Sequence, residues 1–352
     1  MKAFSFKLYS KKVIAILWLL PFFVFARSVS AQDLQADNML LFQNPNGGWP
    51  KHWNAKTFKY DITYSDDVKA EIKKSRNDIY STIDNNATTK EIKYLLTAYI
   101  KTQNKEYLKS VEKSLNYLLN AQYANGGWPQ FYPDDKGYRK YITFNDNAMT
   151  NVMQTLKLIY TKPEYTALFS EKLINKLKKA NDKAVACILK CQIKVDGVLT
   201  AWCAQHDNVT LEARPARSFE LTSISGGESV AIVEYLMQIE NPSPEVINAV
   251  KSAVNWFEKV KIEGYRYDVI RDTTISSGYK RTLVADSSAK ALWARFYEIG
   301  TNRPFFSDRD GIKKYNLSEI DQERSMGYSW YVSGADKLLN NLYPKWIKKI
   351  EG

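Results

Sequence analysis

Apolar residues return at three- and four-residue spacing along most of the chain, which is typical of amphipathic α-helices. The segment EYLKSVEKSLNYLLNAQ, residues 106–122, shows this spacing most clearly. The same pattern predicts helices over Asp67–Tyr80, Lys90–Thr102, Lys105–Gln122, Asn147–Thr161, Glu171–Lys190, Glu228–Glu240, Pro244–Val260, Ser287–Ile299 and Gly334–Ile350. Strand-like alternation is scarce, and its clearest examples lie around Tyr265–Ile270 and Thr282–Val284. The chain is therefore predicted to be mainly helical.

Two motifs recur between these helices. QNPNGGWPK at 43–51 is nearly repeated as QYANGGWPQ at 122–130, and TIDNNATT at 82–89 is echoed by TFNDNAMT at 143–150. A weaker third copy of the first motif runs from Gln192 to Trp202. Repeats of helix, Gly-rich turn and helix indicate stacked helical hairpins, and closing them into a ring predicts an all-α toroid. Trp49 and Trp128 either plug the core or line a substrate site at the mouth of the ring.

Residues 1–31 have the order of charge, apolar core and small residues that is typical of a secretory signal. We expect cleavage after Ala31 and a single domain over 32–352, since the apolar run is short for a membrane anchor. Removing this segment lowers the formal net charge from +12 to +7, because it carries four lysines, one arginine and no acid. A basic exported protein suits an anionic partner, such as nucleic acid, lipid head groups or acidic polysaccharide.

The chain has three cysteines, Cys187, Cys191 and Cys203, too few for a disulfide-built scaffold. Core packing is the favoured role, with a disulfide or a metal site as the alternatives. His206 beside Asp207 is compatible with an acid–base pair or with a structural loop histidine.

The Asp- and Asn-rich turns offer candidate metal ligands. Asp84, Asn85 and Asn86 in the first turn correspond to Asn145, Asp146 and Asn147 in the second. One such residue suffices to cap a helix. Three adjacent oxygen-bearing side chains, repeated at matching positions, favour a hard cation such as calcium.

Several arginines lie among aromatic residues and prolines rather than on a polar face. Arg217 follows Pro215, and similar surroundings recur late in the chain at Arg295, Arg303 and Arg309. Guanidinium groups bind carboxylates bidentately, so the set favours a carboxylate-binding groove over surface ion pairs.

At these residues the sequence resembles the family-10 pectate lyases of the polysaccharide lyases. The motifs that carry the resemblance span Asn46 to Tyr331: NGGWPK, TIDNNATT, NGGWPQ, TFNDNAM, LTAWCAQHD, PARSFE, SGGES, RPFFSDRDG and GYSWY. The resemblance implies an (α/α)₃ toroid of helical hairpins with short extended segments in its loops. It also implies calcium dependence and anti β-elimination of α-1,4-linked polygalacturonate to 4,5-unsaturated oligogalacturonides.

The resemblance also implies roles for individual residues. Asp84, Asn85 and Asp146 correspond to calcium-binding positions, and Arg217 corresponds to the catalytic base. The expected substrate-binding residues are Arg295, Arg303, Arg309, Lys51, Trp49 and Trp128. The expected protein is a secreted or periplasmic monomer without a membrane span after signal cleavage.

Other functions remain open on the sequence. An inverting glycoside hydrolase on the same toroid would recast Asp84 and Asp146 as its two carboxylates. A non-catalytic protein that binds acidic polysaccharide would use the same tryptophans and arginines. A triterpene cyclase shares the Gln-x-x-Asn-Gly-x-Trp pattern, but its Asp-rich protonating motif is missing here. Nucleic-acid binding fits the charge alone, because no recognition motif occurs and the basic residues are dispersed.

Overall fold

Pairs of long helices form the frame of the protein in the computed structural model, which describes Met1, residues 32–275 and residues 277–352. The predicted signal peptide thus lies almost wholly outside the described residues. Helix α3 packs against α4, α5 against α7, and α8 against α9. The helices are α1 (Leu34–Phe42), α2 (Asp66–Ser75), α3 (Thr89–Thr102), α4 (Lys105–Ala121), α5 (Ala148–Thr161), α6 (Pro163–Thr166), α7 (Glu171–Cys191), α8 (Glu228–Met237), α9 (Pro244–Lys259), α10 (Gln322–Gly327), α11 (Gly334–Lys337) and α12 (Tyr343–Glu351).

Most helices predicted from apolar spacing are present, with ends that agree to within a few residues. The helix predicted over Ser287–Ile299 is wrong, because this segment holds the two short strands Trp293–Ala294 and Phe296–Tyr297. A nearly continuous apolar run has no clear period, so its spacing cannot separate a buried helix from a buried strand. Nothing in the described part of the chain forms a helix long and apolar enough to cross a membrane.

The prediction of an all-α (α/α)₃ toroid is wrong, because fourteen β-strands lie within the described residues. They pair two by two, and each pair is antiparallel. The strands are β1 (Trp49–Pro50), β2 (Ser81–Thr82), β3 (Ile142–Thr143), β4 (Lys194–Val195), β5 (Val198–Leu199), β6 (Gln205–His206), β7 (Ile224–Ser225), β8 (Tyr265–Arg271), β9 (Tyr279–Ala285), β10 (Trp293–Ala294), β11 (Phe296–Tyr297), β12 (Phe306–Ser307), β13 (Lys313–Lys314) and β14 (Tyr331–Val332).

Only the longest of these pairs left a sequence signal. The hairpin of β8 and β9 covers the two extended stretches predicted near Tyr265 and Thr282. Twelve of the strands have only two residues. A two-residue strand cannot show alternation, and it forms only when another segment, in most of these pairs a distant one, supplies its hydrogen-bond partner.

The repeated Gln-x-x-Asn-Gly-Gly-Trp motif connects the end of α1 to α4 and the end of α4 to α7. The Gln43 side-chain amide donates to the carbonyl oxygens of Gly47 and Ser110, and Gln122 does the same toward Gly126 and Ala180. Gly47 has a φ of 101° and Gly126 a φ of 98°. A Cβ atom on Gly47 would lie 2.5 Å from the Lys113 carbonyl oxygen of α4, and one on Gly126 would lie 2.2 Å from the Lys183 carbonyl oxygen of α7. The motif therefore needs glycine for both its backbone angle and its close helix contact.

The tryptophans of this motif are core residues, which contradicts the groove-lining role expected for Trp49 and Trp128. Both side chains are fully buried, with 0% exposure. The indole N–H of Trp49 donates to the Met39 carbonyl oxygen, and that of Trp128 donates to the Leu118 carbonyl oxygen. Each tryptophan thus donates to a carbonyl oxygen near the end of the preceding helix. Trp202 makes the same bond to Ile188, so the weaker third copy keeps this role.

The remaining open residues are also structural. Cys187, Cys191 and Cys203 are free thiols buried in the protein interior. His206 is fully buried, and its Nε2 accepts a hydrogen bond from the Cys203 backbone N–H. Its Nδ1 then donates to the Leu211 carbonyl oxygen. Burial lowers the pKa of His206 to about 4, so the imidazole is neutral at neutral pH.

Candidate active site

The two Asp- and Asn-rich segments form matching tight turns that contact each other. Residues 84–86 and 145–147 each adopt one 3₁₀ turn before a helix. The φ angles of Asn85 and Asp146 are 48° and 50°, in the left-handed region where Asn and Asp are the most tolerated side chains after glycine. A paired strand precedes each turn and fixes its position. Strand β2, before the first turn, pairs with β1, and strand β3, before the second turn, pairs with β6.

Asp84 is the most buried carboxylate of these turns, at 4% exposure. Its Oδ2 accepts a hydrogen bond from Lys51 Nζ at 2.7 Å. Its Oδ1 is buried and has no hydrogen-bond partner. An unpaired buried carboxylate oxygen is costly in a finished structure, so it marks a position for a cation or another donor.

Asp146 lies close to Asp84 and is electrostatically coupled to it. Burial raises the pKa of Asp146, and the negative charges of Asp84 and Glu228 raise it further, whereas Arg295 and Lys51 act in the opposite direction. Two neighbouring carboxylates that repel each other are stabilised by a cation between them.

Arg295 connects the second turn to helix α8. Its Nη2 donates to Glu228 Oε1 at 2.7 Å and contacts Asn145 Oδ1 at 3.3 Å. The guanidinium lies 4.6 Å from the centroid of the Tyr328 ring. Burial opposes the charge on Arg295, but Glu228 and other nearby groups outweigh it and leave the pKa of Arg295 raised. Arg295 therefore presents a permanent positive charge beside Asp146.

Arg217 forms a two-pronged ion pair with Glu220. Its Nε donates to Glu220 Oε2 at 2.7 Å, and its Nη2 donates to Oε1 at 2.5 Å. Tyr328 donates its hydroxyl proton to the same Oε1 at 2.9 Å. These hydrogen bonds raise the pKa of Arg217, so Arg217 is protonated in this arrangement. To act as a base, Arg217 would have to separate from Glu220, or the negative charge of Glu220 would have to be neutralised.

One cavity of about 380 Å³ collects most of the site residues expected from the sequence. Its lining includes these six of them: Lys51, Asp84, Asn85, Asp146, Arg217 and Arg295. Arg309 lies outside the lining but near Arg217, since both guanidinium groups lie over the Phe219 ring. Arg303 does not reach the cavity, because its guanidinium stacks on the Tyr315 ring at 3.5 Å. Arg303 thus contributes nothing to the lining of this cavity, and its role in substrate binding stays a prediction.

The cavity also contains residues that were not predicted individually. They are Gln130, Phe131, Tyr138, Arg139, Gln205, Glu220 and Tyr328, together with His52, and the lining also includes Asn145 of the second turn. Several belong to quoted motifs: Gln130 ends NGGWPQ, Gln205 lies in LTAWCAQHD and Tyr328 lies in GYSWY. Tyr138 and Arg139 left no such signal, because they reach the cavity only through the turn at Gly137–Lys140.

The donor atoms at the two turns fit a hard divalent cation such as calcium. The unpaired Asp84 oxygen and the coupled Asp146 carboxylate supply anionic oxygens, and Asn85 adds an amide oxygen. Within the described residues, no group of three or more His, Cys, Asp or Glu side chains is placed to hold a metal. A cation at this site would therefore need amide oxygens, water or substrate oxygens to complete its coordination.

Comparison with known proteins identifies the chain. The model of the pectic acid lyase family matches residues 43–339. The chain belongs to the pectic acid lyase family. This result confirms the resemblance to the family-10 pectate lyases and favours a lyase over the hydrolase and the non-catalytic binding protein. No curated protein matches the chain.

Solved structures agree with this assignment. The pectate lyase is similar to the family 10 polysaccharide lyase from Cellvibrio cellulosa, with 36% identity, a TM-score of 0.76 and coverage of 88% of this chain and 91% of that chain. A mutant of that lyase in complex with trigalacturonic acid has 36% identity and a TM-score of 0.77, covering 88% and 92%. The cavity between the two turns is therefore the candidate active site of a polysaccharide-degrading pectate lyase.

Proposed function

We propose that this pectate lyase cleaves α-1,4-linked polygalacturonate by calcium-dependent anti β-elimination and releases 4,5-unsaturated oligogalacturonides. The observation that carries the proposal is the cavity that places Asp84 and Asp146 beside Arg295 and Arg217. Carboxylates suit a cation, and guanidinium groups suit the substrate's uronate groups. The trigalacturonic acid bound to the similar Cellvibrio lyase supports the same substrate class.

The metal ligands in this proposal are Asp84, Asn85 and Asp146. Calcium held there would neutralise a uronate carboxylate and stabilise the enolate-like charge that develops when C5 loses its proton. Lys51 keeps the Asp84 side chain in place through its 2.7 Å ion pair, which leaves Oδ1 directed away from Lys51 and free to bind.

Arg217 is the proposed proton acceptor. In the reaction it takes the C5 proton, the C4–C5 double bond forms, the C4–O bond breaks, and the leaving oxygen takes a proton from water. Arg295 and Arg309 are the proposed ligands of the substrate carboxylates near this centre. The raised pKa of Arg217 means that activity should increase toward alkaline pH, where more of the guanidine is neutral.

The proposal extends to the organisation of the protein. We place the catalytic domain at residues 32–352 and a signal peptide, cleaved after Ala31, at residues 1–31. The product of this cleavage would act as a secreted or periplasmic monomer on pectate chains. Mass spectrometry of the exported protein would show a new N-terminus at Gln32, whereas an intact Met1 would contradict the cleavage.

The first experiment follows the ultraviolet absorbance of the C4–C5 double bond while purified protein acts on polygalacturonate. We expect absorbance to grow with calcium and to stop with excess chelator. The Arg217→Ala variant should lose this growth and still bind the polymer. New reducing ends without ultraviolet absorbance would indicate hydrolysis and overturn the elimination, and activity unaffected by chelator would overturn the calcium requirement.

A further inference from the structure

The candidate active site continues into a second, larger cavity, which we call the basic arm. The basic arm has a volume of about 700 Å³, within the range of roughly 300–1,000 Å³ found for ligand pockets. It shares Lys51, His52, Phe131 and Arg139 with the candidate active-site cavity. The two cavities therefore adjoin at these four residues, which is where a chain bound at the reaction centre would enter the arm.

The lining of the basic arm is positively charged and contains no acid. It holds Lys51, Lys74, Arg76 and Arg139, without a single Asp or Glu. Lys51 and Arg139 are paired with the carboxylates of Asp84 and Asp134. Among the described residues Lys74 and Arg76 have no carboxylate partner, and Arg76 donates only to backbone carbonyls of α1. Two positive charges thus remain uncompensated in this cavity.

Aromatic rings accompany these charges. Trp53, Tyr80 and Phe131 line the arm. The Trp53 indole N–H is already bound to Ser75, so its half-buried ring is fixed in position. Tyr80 is 53% exposed. Pyranose rings have apolar C–H faces, and aromatic rings beside cations provide the surfaces that a uronate chain needs.

A third cavity also adjoins the candidate active site, and its charge differs from that of the basic arm. This third cavity, of about 470 Å³, shares Asp146 and Arg295 with the centre. Its lining includes the acids Glu234 and Asp336 as well as Lys290 and Lys337. Anionic groups repel a uronate carboxylate, so the two sides of the centre cannot bind a polyuronate equally.

We propose that the basic arm is an extended binding site for successive unesterified uronate units of the substrate, with Lys74 and Tyr80 as residues that determine this specificity. The proposal rests on the proposed function, since it assigns the substrate chain beyond the bond that is cleaved. The arm selects for free carboxylates on one side of the centre, and the mixed charge of the third cavity imposes no such demand on the other. Neither residue contacts the proposed metal ligands or Arg217.

The test compares the parent with the Lys74→Met/Tyr80→Ala variant on oligogalacturonates from the trimer to the octamer. In the parent, kcat/KM should increase with chain length as units fill the arm. In the variant this increase should fall by about fivefold, which corresponds to about 1 kcal/mol for the two lost contacts together, while the rate on the shortest cleaved oligomer stays unchanged. The matched control is Lys337→Met, which removes a lysine from the third cavity and should preserve the increase.

Equal dependence on chain length in parent and variant would overturn the proposal, and so would an equal loss on every oligomer. Calorimetric titration with the unesterified octamer measures binding without turnover, so it separates a failure of the basic-arm proposal from a failure of the proposed function. A severalfold weaker octamer affinity in the variant, with parental affinity for the fully methyl-esterified octamer, would support the arm even without turnover. Unchanged affinity for both octamers would overturn it. An unfolding temperature equal to that of the parent shows that the variant is folded.

Discussion

Replacing Glu220 by glutamine tests whether Arg217 is the proton acceptor. Glu220 is 8% exposed and accepts both hydrogen bonds that hold the Arg217 guanidinium. Glutamine keeps the size of the side chain and can still accept a hydrogen bond from the Tyr328 hydroxyl. It removes the negative charge that stabilises protonated Arg217. The pKa of Arg217 should therefore fall in the Glu220→Gln variant.

The expected size of this fall follows from the geometry of the pair. Hydrogen bonds to charged groups contribute roughly 1.5–3 kcal/mol. The lower end applies here, because 48% of the Arg217 side chain is exposed and solvent screens the pair. One pKa unit corresponds to about 1.36 kcal/mol. We therefore expect the pKa of Arg217 to fall by about one unit, which increases its neutral fraction up to about tenfold at any pH below that pKa.

The assay measures kcat/KM on polygalacturonate across the alkaline range at saturating calcium. The rising part of the profile should shift toward lower pH by about one unit in Glu220→Gln. The matched control is Glu212→Gln, since Glu212 contacts the neighbouring Arg214 at 3.8 Å and lies outside the cavity. A Glu220→Gln profile that superimposes on the parent, or that is lower at every pH in folded protein, would refute the assignment of Arg217.

Other predictions concern the metal site, the core and the response to acid. Asp146→Asn should weaken calcium affinity by at least about 10–100-fold in calorimetric titration, and parental affinity would exclude Asp146 as a ligand. Trp128→Ala should lower the free energy of unfolding by about 3–5 kcal/mol in urea titration, because it empties a fully buried site; a cost below 1 kcal/mol would contradict its role in the core. The pKa of His206 is lowered to about 4, so its contribution is complete above about pH 6.5 and is lost as pH falls toward 4. Urea unfolding should show about 2–3 kcal/mol less stability at pH 4.5 from this residue, and His206→Gln should show a correspondingly weaker pH dependence.

Local spacing accounts for the parts of the fold that were predicted correctly. The helices over α3, α4, α5, α7 and α9 follow from apolar residues on one face, and this information lies within each segment. The paired turns were visible because Asp84, Asn85 and Asn86 of the first turn are echoed at matching repeat positions by Asn145, Asp146 and Asn147 of the second. The sequence also placed the chain in its family, because several ordered motifs occur together over most of its length.

The predictions that the structure contradicted concern features that depend on contacts between distant segments of the chain. The two-residue strands exist only through pairings such as that of Ile142 with His206, and no local period announces them. Trp49 and Trp128 could not be assigned from the sequence, because a loop tryptophan suits both a core and a sugar-binding surface. Their burial follows from indole bonds to carbonyls of the preceding helices.

By itself the sequence determined most of the helices, the repeated turns with their oxygen-bearing side chains, and the family, since each depends on the order and spacing of residues. Tertiary structure decided which of those residues meet. Arg295 reaches Asn145 across 150 positions of the chain, and Lys51 reaches Asp84 through the pairing of β1 with β2. The electrostatics of the site depend on these distances in space, because the interaction of two charges falls with their separation and grows with burial, neither of which is written in their order.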